Sequence, residues 1–194
     1  TMAGLEIESH ETVDLPDGEK SEVLELNVTP NRGYCLSHIG VAREVSALLK
    51  KPLKLSDSIT TLSTESGAVN LEDRISVENL EPELCPRYCA LVIENIKVGP
   101  SPRWLKDRLF AIGLRPINNI VDITNFVMME YGQPLHAFDR DLLTGNKIVI
   151  RRAKKGEPFS SLDGTELKLE QDALVIADGD KPVALAGIMG GTNS

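Results

Sequence analysis

The 194-residue chain is long enough for one medium domain or two small ones with their own cores. Its 41% hydrophobic and 26% charged residues are the balance of a soluble globular protein, and no apolar run approaches the ~20 residues that span a bilayer. The formal net charge of -8 argues against a domain that grips duplex or tRNA by itself, because binding by phosphate neutralisation calls for a basic surface.

Thr1 precedes Met2, which reads as a cut or tag remnant, and the first residues lack the basic and apolar regions of a signal peptide. A cytoplasmic location is expected, with no membrane partner. Cys35, Cys85 and Cys89 are an odd number at no metal-ligand spacing. A Cys85/Cys89/His136 site is conceivable, but reduced, partly buried thiols are the expectation, with neither disulfide nor metal.

In chain order, Asp17-Gly18 marks a tight connection between short extended segments. Residues 23–28 alternate with period two, as a half-buried strand does. After a turn at 29–33, Leu36, Ile39, Ala42, Val45, Leu48 and Leu49 follow helical spacing, with Pro52 beyond the stop. Residues 56–73, rich in Ser, Thr, Asp and Glu, read as a linker. Residues 88–98 are apolar on both faces for half their length, as in a central strand.

Ser101-Pro102 then offers an N-cap and a first-turn proline. Leu105, Leu109 and Ile112 form one helical face, and Gly113 closes the helix. A second helix is predicted from about 119 to 131, with Ile120, Ile123, Val127 and Tyr131 turned inward and Gly132 and Pro134 stopping it. Strands at 147–152, 166–169, 173–177 and 182–187 alternate with Asp163-Gly164 and Asp178-Gly179 turns, which makes that part of the sheet antiparallel. The class is α+β. A mixed, largely antiparallel sheet packed with helices occupies 74–194, preceded by a small α/β domain over 1–55.

Thr124 and Asn125 lie mid-helix, where local side-chain hydrogen bonding makes such residues unwelcome. Asp122 and Asn125 are three apart and share one side. Arg115 precedes that helix and His136 follows it in a loop with Pro134. A histidine, an amide, a hydroxyl and a guanidinium could converge on one cleft. On pattern alone, solvation and local capping explain these residues better than a site does. Gly187-Ile188-Met189-Gly190-Gly191 lacks the features of a P-loop or a dinucleotide fingerprint. It reads either as a turn or as a close backbone approach to a ligand.

Several ordered strings resemble the β subunit of bacterial phenylalanyl-tRNA synthetases. They are Asn27-Val28-Thr29-Pro30-Asn31-Arg32, Cys85-Pro86-Arg87-Tyr88, Val121-Asp122-Ile123-Thr124-Asn125-Phe126-Val127, Gly132-Gln133-Pro134-Leu135-His136-Ala137-Phe138-Asp139, Leu162-Asp163-Gly164 and Ala186-Gly187-Ile188-Met189-Gly190-Gly191. The resemblance implies an editing module, the third and fourth domains of that subunit with part of its first. Such a module removes tyrosine wrongly joined to phenylalanine tRNA by hydrolysing the ester.

By the same resemblance His136 and Asn125 are catalytic, Thr124, Arg115, Pro134 and Gly190 bind substrate, and the module needs no cofactor. The parent ligase uses ATP and magnesium. The implied partners are the 3′ end of tRNA(Phe) and the α subunit of a heterotetramer. A non-catalytic module that positions tRNA or scaffolds subunits is the alternative, and a free-standing deacylase for another mischarged tRNA is a third. The family carries an oligonucleotide-binding insert where this chain has a short stretch around Asp17-Gly18. It also completes its pocket with a glutamate beyond the Met-Gly-Gly motif. Residues 1–194 alone are therefore expected to deacylate Tyr-tRNA poorly.

Overall fold

The computed structural model describes residues 4–54 and 74–193, so the linker expected at 56–73 lies outside the described residues. The chain divides into two compact units that do not follow that contiguous division. Residues 1–63 and 97–137 form one, and 64–96 with 138–194 form the other.

In the first unit, β1 (Glu6–Asp14) and β2 (Lys20–Asn27) pair antiparallel as a hairpin. Gly18, at φ +85°, supplies its turn. A 3-10 turn over Pro30–Cys35 leads to α1 (His38–Leu49). Ser37 caps α1 by accepting the Gly40 N–H. Gly40 is forced: a Cβ there would lie 1.7 Å from the Tyr34 carbonyl oxygen. Helix α2 (Arg103–Ala111) buries Leu105 and Leu109, each at 1% exposure, and ends at Gly113 with φ +80°.

Helix α3 (Asn119–Tyr131) has the predicted bounds. Trp104 of α2 meets Phe126 of α3 edge-on, with ring centroids 5.4 Å apart. His38 Nδ1–H of α1 donates to the Met129 carbonyl of α3 at 2.9 Å, and Gly132 passes against Ser37. These packings hold 97–137 with the N-terminal segment rather than with the sheet that follows.

The second unit is built on a five-stranded sheet. It contains β3 (Ser76–Asn79), β4 (Lys147–Arg152), β7 (Leu174–Ala177), β8 (Pro182–Leu185) and β9 (Met189–Gly190), in the order β3-β4-β7-β8-β9. Only β3–β4 is parallel, so the sheet is mixed and largely antiparallel. A separate hairpin pairs β5 (Glu157–Ser160) with β6 (Glu166–Leu169) across Asp163-Gly164. Strand β4 is covered on both faces. Ile148 and Ile150 join Leu143 and Val183 in one cluster, while Val149 joins Phe159, Leu169, Val175 and Ala177 in another.

Three expectations are corrected. The central strand at 88–98 does not form: that segment is not in a strand, and Leu91, Ile93, Ile96 and Val98 are exposed. An apolar run becomes a strand only where a neighbour takes its backbone hydrogen bonds, and the place parallel to β4 belongs to β3. Ser101 does not cap α2, because its hydroxyl is spent on Asp122. On α3, Ile123 and Tyr131 face outward and Asp122 is the buried residue.

Ile150→Ala, at a site 1% exposed, is expected to lower stability by about 2–5 kcal/mol. Leu91→Ala, at a site 79% exposed, should change it by less than about 0.5 kcal/mol. Urea denaturation reads both. Equal losses would show that Leu91 is packed in solution.

Candidate functional site

The first half of α3 and its approach are dense in polar side chains, and almost all of them are committed to structure. Asn118 caps the helix, its Oδ1 accepting the N–H groups of Ile120 and Val121 at 3.0 Å each. Asn119 accepts the Gly99 N–H through Oδ1 and donates Nδ2–H to the Lys97 carbonyl. Asp122, at 1% exposure, accepts the Ser101 hydroxyl at 2.5 Å and the Ile117 N–H at 2.8 Å, one on each carboxylate oxygen. The Thr124 hydroxyl donates back to the Val121 carbonyl at 2.7 Å, which leaves it only acceptor capacity.

Asn125 is the exception. It is partly buried, and its amide makes no hydrogen bond with another described residue. A partly buried amide without a protein partner is suited to a ligand, since it can donate two N–H groups and accept through oxygen.

Gly132, at φ +76°, ends α3 in the left-handed conformation, its N–H bonded to the Met128 carbonyl. The chain then turns into the exposed loop that carries Pro134 and His136. Although His136 as a residue is exposed, the protein around its ring desolvates it enough to lower its pKa below the usual histidine value. The imidazole is therefore neutral at pH 7, able to accept a proton or orient water.

Arg115 is exposed and lines a cleft of about 780 Å³ within the first unit, together with Ser9, Glu11, Glu25, His38 and Met129. Thr124, Asn125, Pro134 and His136 are not among the residues lining that cleft. Thr124 and Asn125 thus lie midway along α3, Pro134 and His136 in the loop after it, and Arg115 in the α2–α3 loop.

Gly190 lies in the second unit, buried in β9, with its carbonyl accepting the Leu162 N–H. The adjacent N–H groups of Ile188 and Gly191 are bonded to Leu185 and Val183. These two N–H groups are therefore not available to a ligand that approaches this turn. Sequence reasoning missed the structural duty of Asp122, Asn118 and Asn119. The signal was present in the spacing Asn118-Asn119-x-x-Asp122, at a helix start that immediately follows a loop.

Residues 84–194 match the family model of the B3/4 domain. The chain is 52% identical over 189 residues to the phenylalanine–tRNA ligase beta subunit of Carboxydothermus hydrogenoformans, a match covering 93% of the chain and 23% of that relative. It is 54% identical over 175 residues to the subunit of the same name from Syntrophus aciditrophicus, covering 90% and 21%, and 51% identical over 177 residues to that of Geobacillus kaustophilus, covering 91% and 22%. The chain spans less than a quarter of the length of these relatives.

An NMR titration of His136 is expected to give a midpoint below the ordinary value of 6.5. Because the folded value lies below the unfolded one, this group supports the fold above the unfolded pKa. That support is lost as pH falls through the folded value. A midpoint at or above 6.5 would remove the case for a desolvated ring, and one above 7 the case for a neutral imidazole at pH 7.

Proposed function

Since this chain belongs to the B3/4 domain family, we propose that it is the segment of a phenylalanine–tRNA ligase β subunit that hydrolyses tyrosine wrongly esterified to phenylalanine tRNA. The parent assembly, in this reading, is a cytoplasmic ligase that uses ATP and magnesium and includes an α subunit. The observation that carries the editing reading is the unspent amide of Asn125, in a helix start whose other polar side chains hold the fold together.

Editing is needed because a pocket built for an apolar side chain rejects an isostere with one added hydroxyl only weakly. A site that hydrogen-bonds the hydroxyl can discriminate by roughly 10⁴–10⁵. Water attacks the ester carbonyl, the acyl C–O bond breaks, and tyrosine and the free hydroxyl of the terminal adenosine leave. Neutral His136 orients the water or accepts its proton. The Asn125 amide donates to the oxygen that gains charge. Thr124, whose hydroxyl hydrogen is already used, serves as an acceptor. Pro134 shapes the loop that carries His136, and Arg115 contacts the substrate.

The competing reading is a scaffolding segment of the same synthetase, favoured by the exposed apolar run at Leu91, Ile93 and Ile96. Deacylation of Tyr-tRNA(Phe) separates the two. It is measured for this chain and for a chimera carrying the chain in place of the matching stretch of the Carboxydothermus hydrogenoformans subunit. Asn125→Ala and His136→Ala in the chimera are each expected to slow tyrosine release about a hundredfold with the fold intact. Release at the parent rate by Asn125→Ala, or a parent chimera without deacylase activity, would favour scaffolding.

A further inference from the structure

The buried carboxylate of α3 does more than close a helix pair. Asp122 is 1% exposed, and each of its oxygens holds a different piece of chain. Oδ2 takes the hydroxyl of Ser101, just before α2 begins, and Oδ1 takes the N–H of Ile117, at the end of the α2–α3 loop. Ile117 follows Pro116, whose ring fixes φ, and Arg115 precedes that proline and is confined to extended backbone. Pinning Ile117 therefore sets the direction in which Arg115 leaves the loop. In the other direction, Asn125 lies three residues along the same helix, on the same side as Asp122. One carboxylate thus fixes the loop that presents Arg115 and the helix turn that presents Asn125.

We propose that Asp122 is the positioning residue of the deacylating site, a role that rests on the function proposed above. It touches no substrate. It fixes the helix turn that carries the Asn125 amide and, through Ile117, the loop that carries Arg115, so its loss blurs the geometry on which hydrolysis depends.

The test uses the same chimera and four variants: Asn125→Ala, Asp122→Leu, Asp122→Asn and Ser101→Ala. Deacylation of Tyr-tRNA(Phe) is measured as kcat and KM per folded molecule, with the folded fraction taken from circular dichroism. Asp122→Leu keeps the branched outline of the side chain and removes both bonds. It is expected to lower kcat about 10- to 100-fold with little change in KM. Asp122→Asn keeps an acceptor for Ile117 and can donate to the Ser101 oxygen, and should recover most of the rate. Ser101→Ala, which removes one bond, should fall between the two and serves as the readout if the leucine variant does not fold.

In the isolated chain, Asp122→Leu is also expected to shift the NMR signals of the Asn125 amide and the Arg115 Nε while leaving the Val175 methyls in place. A normal rate for Asn125→Ala defeats the editing reading itself. A slow Asn125→Ala, with kcat per folded molecule unchanged in Asp122→Leu and Ser101→Ala, overturns the positioning role alone.

Discussion

The first unit is organised around a carboxylate that water does not reach. Burying a carboxylic side chain without partners is among the most unfavourable things a fold can do, and each missing hydrogen bond to it would cost about 1–3 kcal/mol or more. Asp122 escapes that cost only when Ser101 and Ile117, 21 and 5 residues away in sequence, come to it together. The entry of α2, the return loop and the first turn of α3 therefore form as one piece or not at all. Asn119 extends the same closure by clasping the backbone at Gly99 and Lys97, and Asn118 satisfies two of the orphan N–H groups at the helix start. The apolar packing of Leu105, Leu109, Trp104 and Phe126 supplies bulk stabilisation, while the polar set dictates register.

The second unit solves a similar problem with different means. Its strand β4 has no solvent face, so the polar groups at its ends must be paired. Arg151 and Glu157 form a two-point ion pair largely out of solvent, and Glu157 also accepts the Lys154 N–H, closing the β4–β5 turn. The Arg151 guanidinium beside it holds the Glu157 carboxyl below its ordinary pKa. At the other end Asp178 accepts three backbone N–H groups, from Thr144, Asp180 and Lys181. That aspartate makes Asp178-Gly179 a turn joined to the loop before β4, which a dipeptide rule about hairpins does not foresee.

The parts legible in the sequence were those whose signals are local. The strand at 147–152, the Asp-Gly turns, the glycine at the end of α2 and both bounds of α3 follow from alternation, turn chemistry and caps, and the structure has them. Strands β3, β5 and β9 were not legible, because none of them carries a run of alternating apolar residues and only the partner beside each makes it a strand. The same dependence on partners explains the opposite error at 88–98, where strong local propensity found no ladder. On α3 the apolar period pointed inward at Ile123 and Tyr131. A fully paired aspartate took the buried position instead, an outcome that hydrophobicity cannot anticipate.

The candidate site shows why residue type alone could not separate function from structure. Asn118, Asn119, Asp122, Thr124 and Asn125 look equivalent in a sequence, five polar residues within eight positions of one helix start. Hydrogen-bond accounting separates them: four are spent on the backbone or on Ser101, and one is left over. Under the proposed function this economy also fits the charge. A chain carrying -8 repels a polyanion, and counterion release is not available to it as a source of affinity. What such a surface can do is act on the ester at the end of a delivered strand, with an amide and an uncharged imidazole as the reacting groups. The acidity that argues against independent tRNA capture is thus compatible with a site that meets only the ester, provided the rest of a larger assembly brings it there.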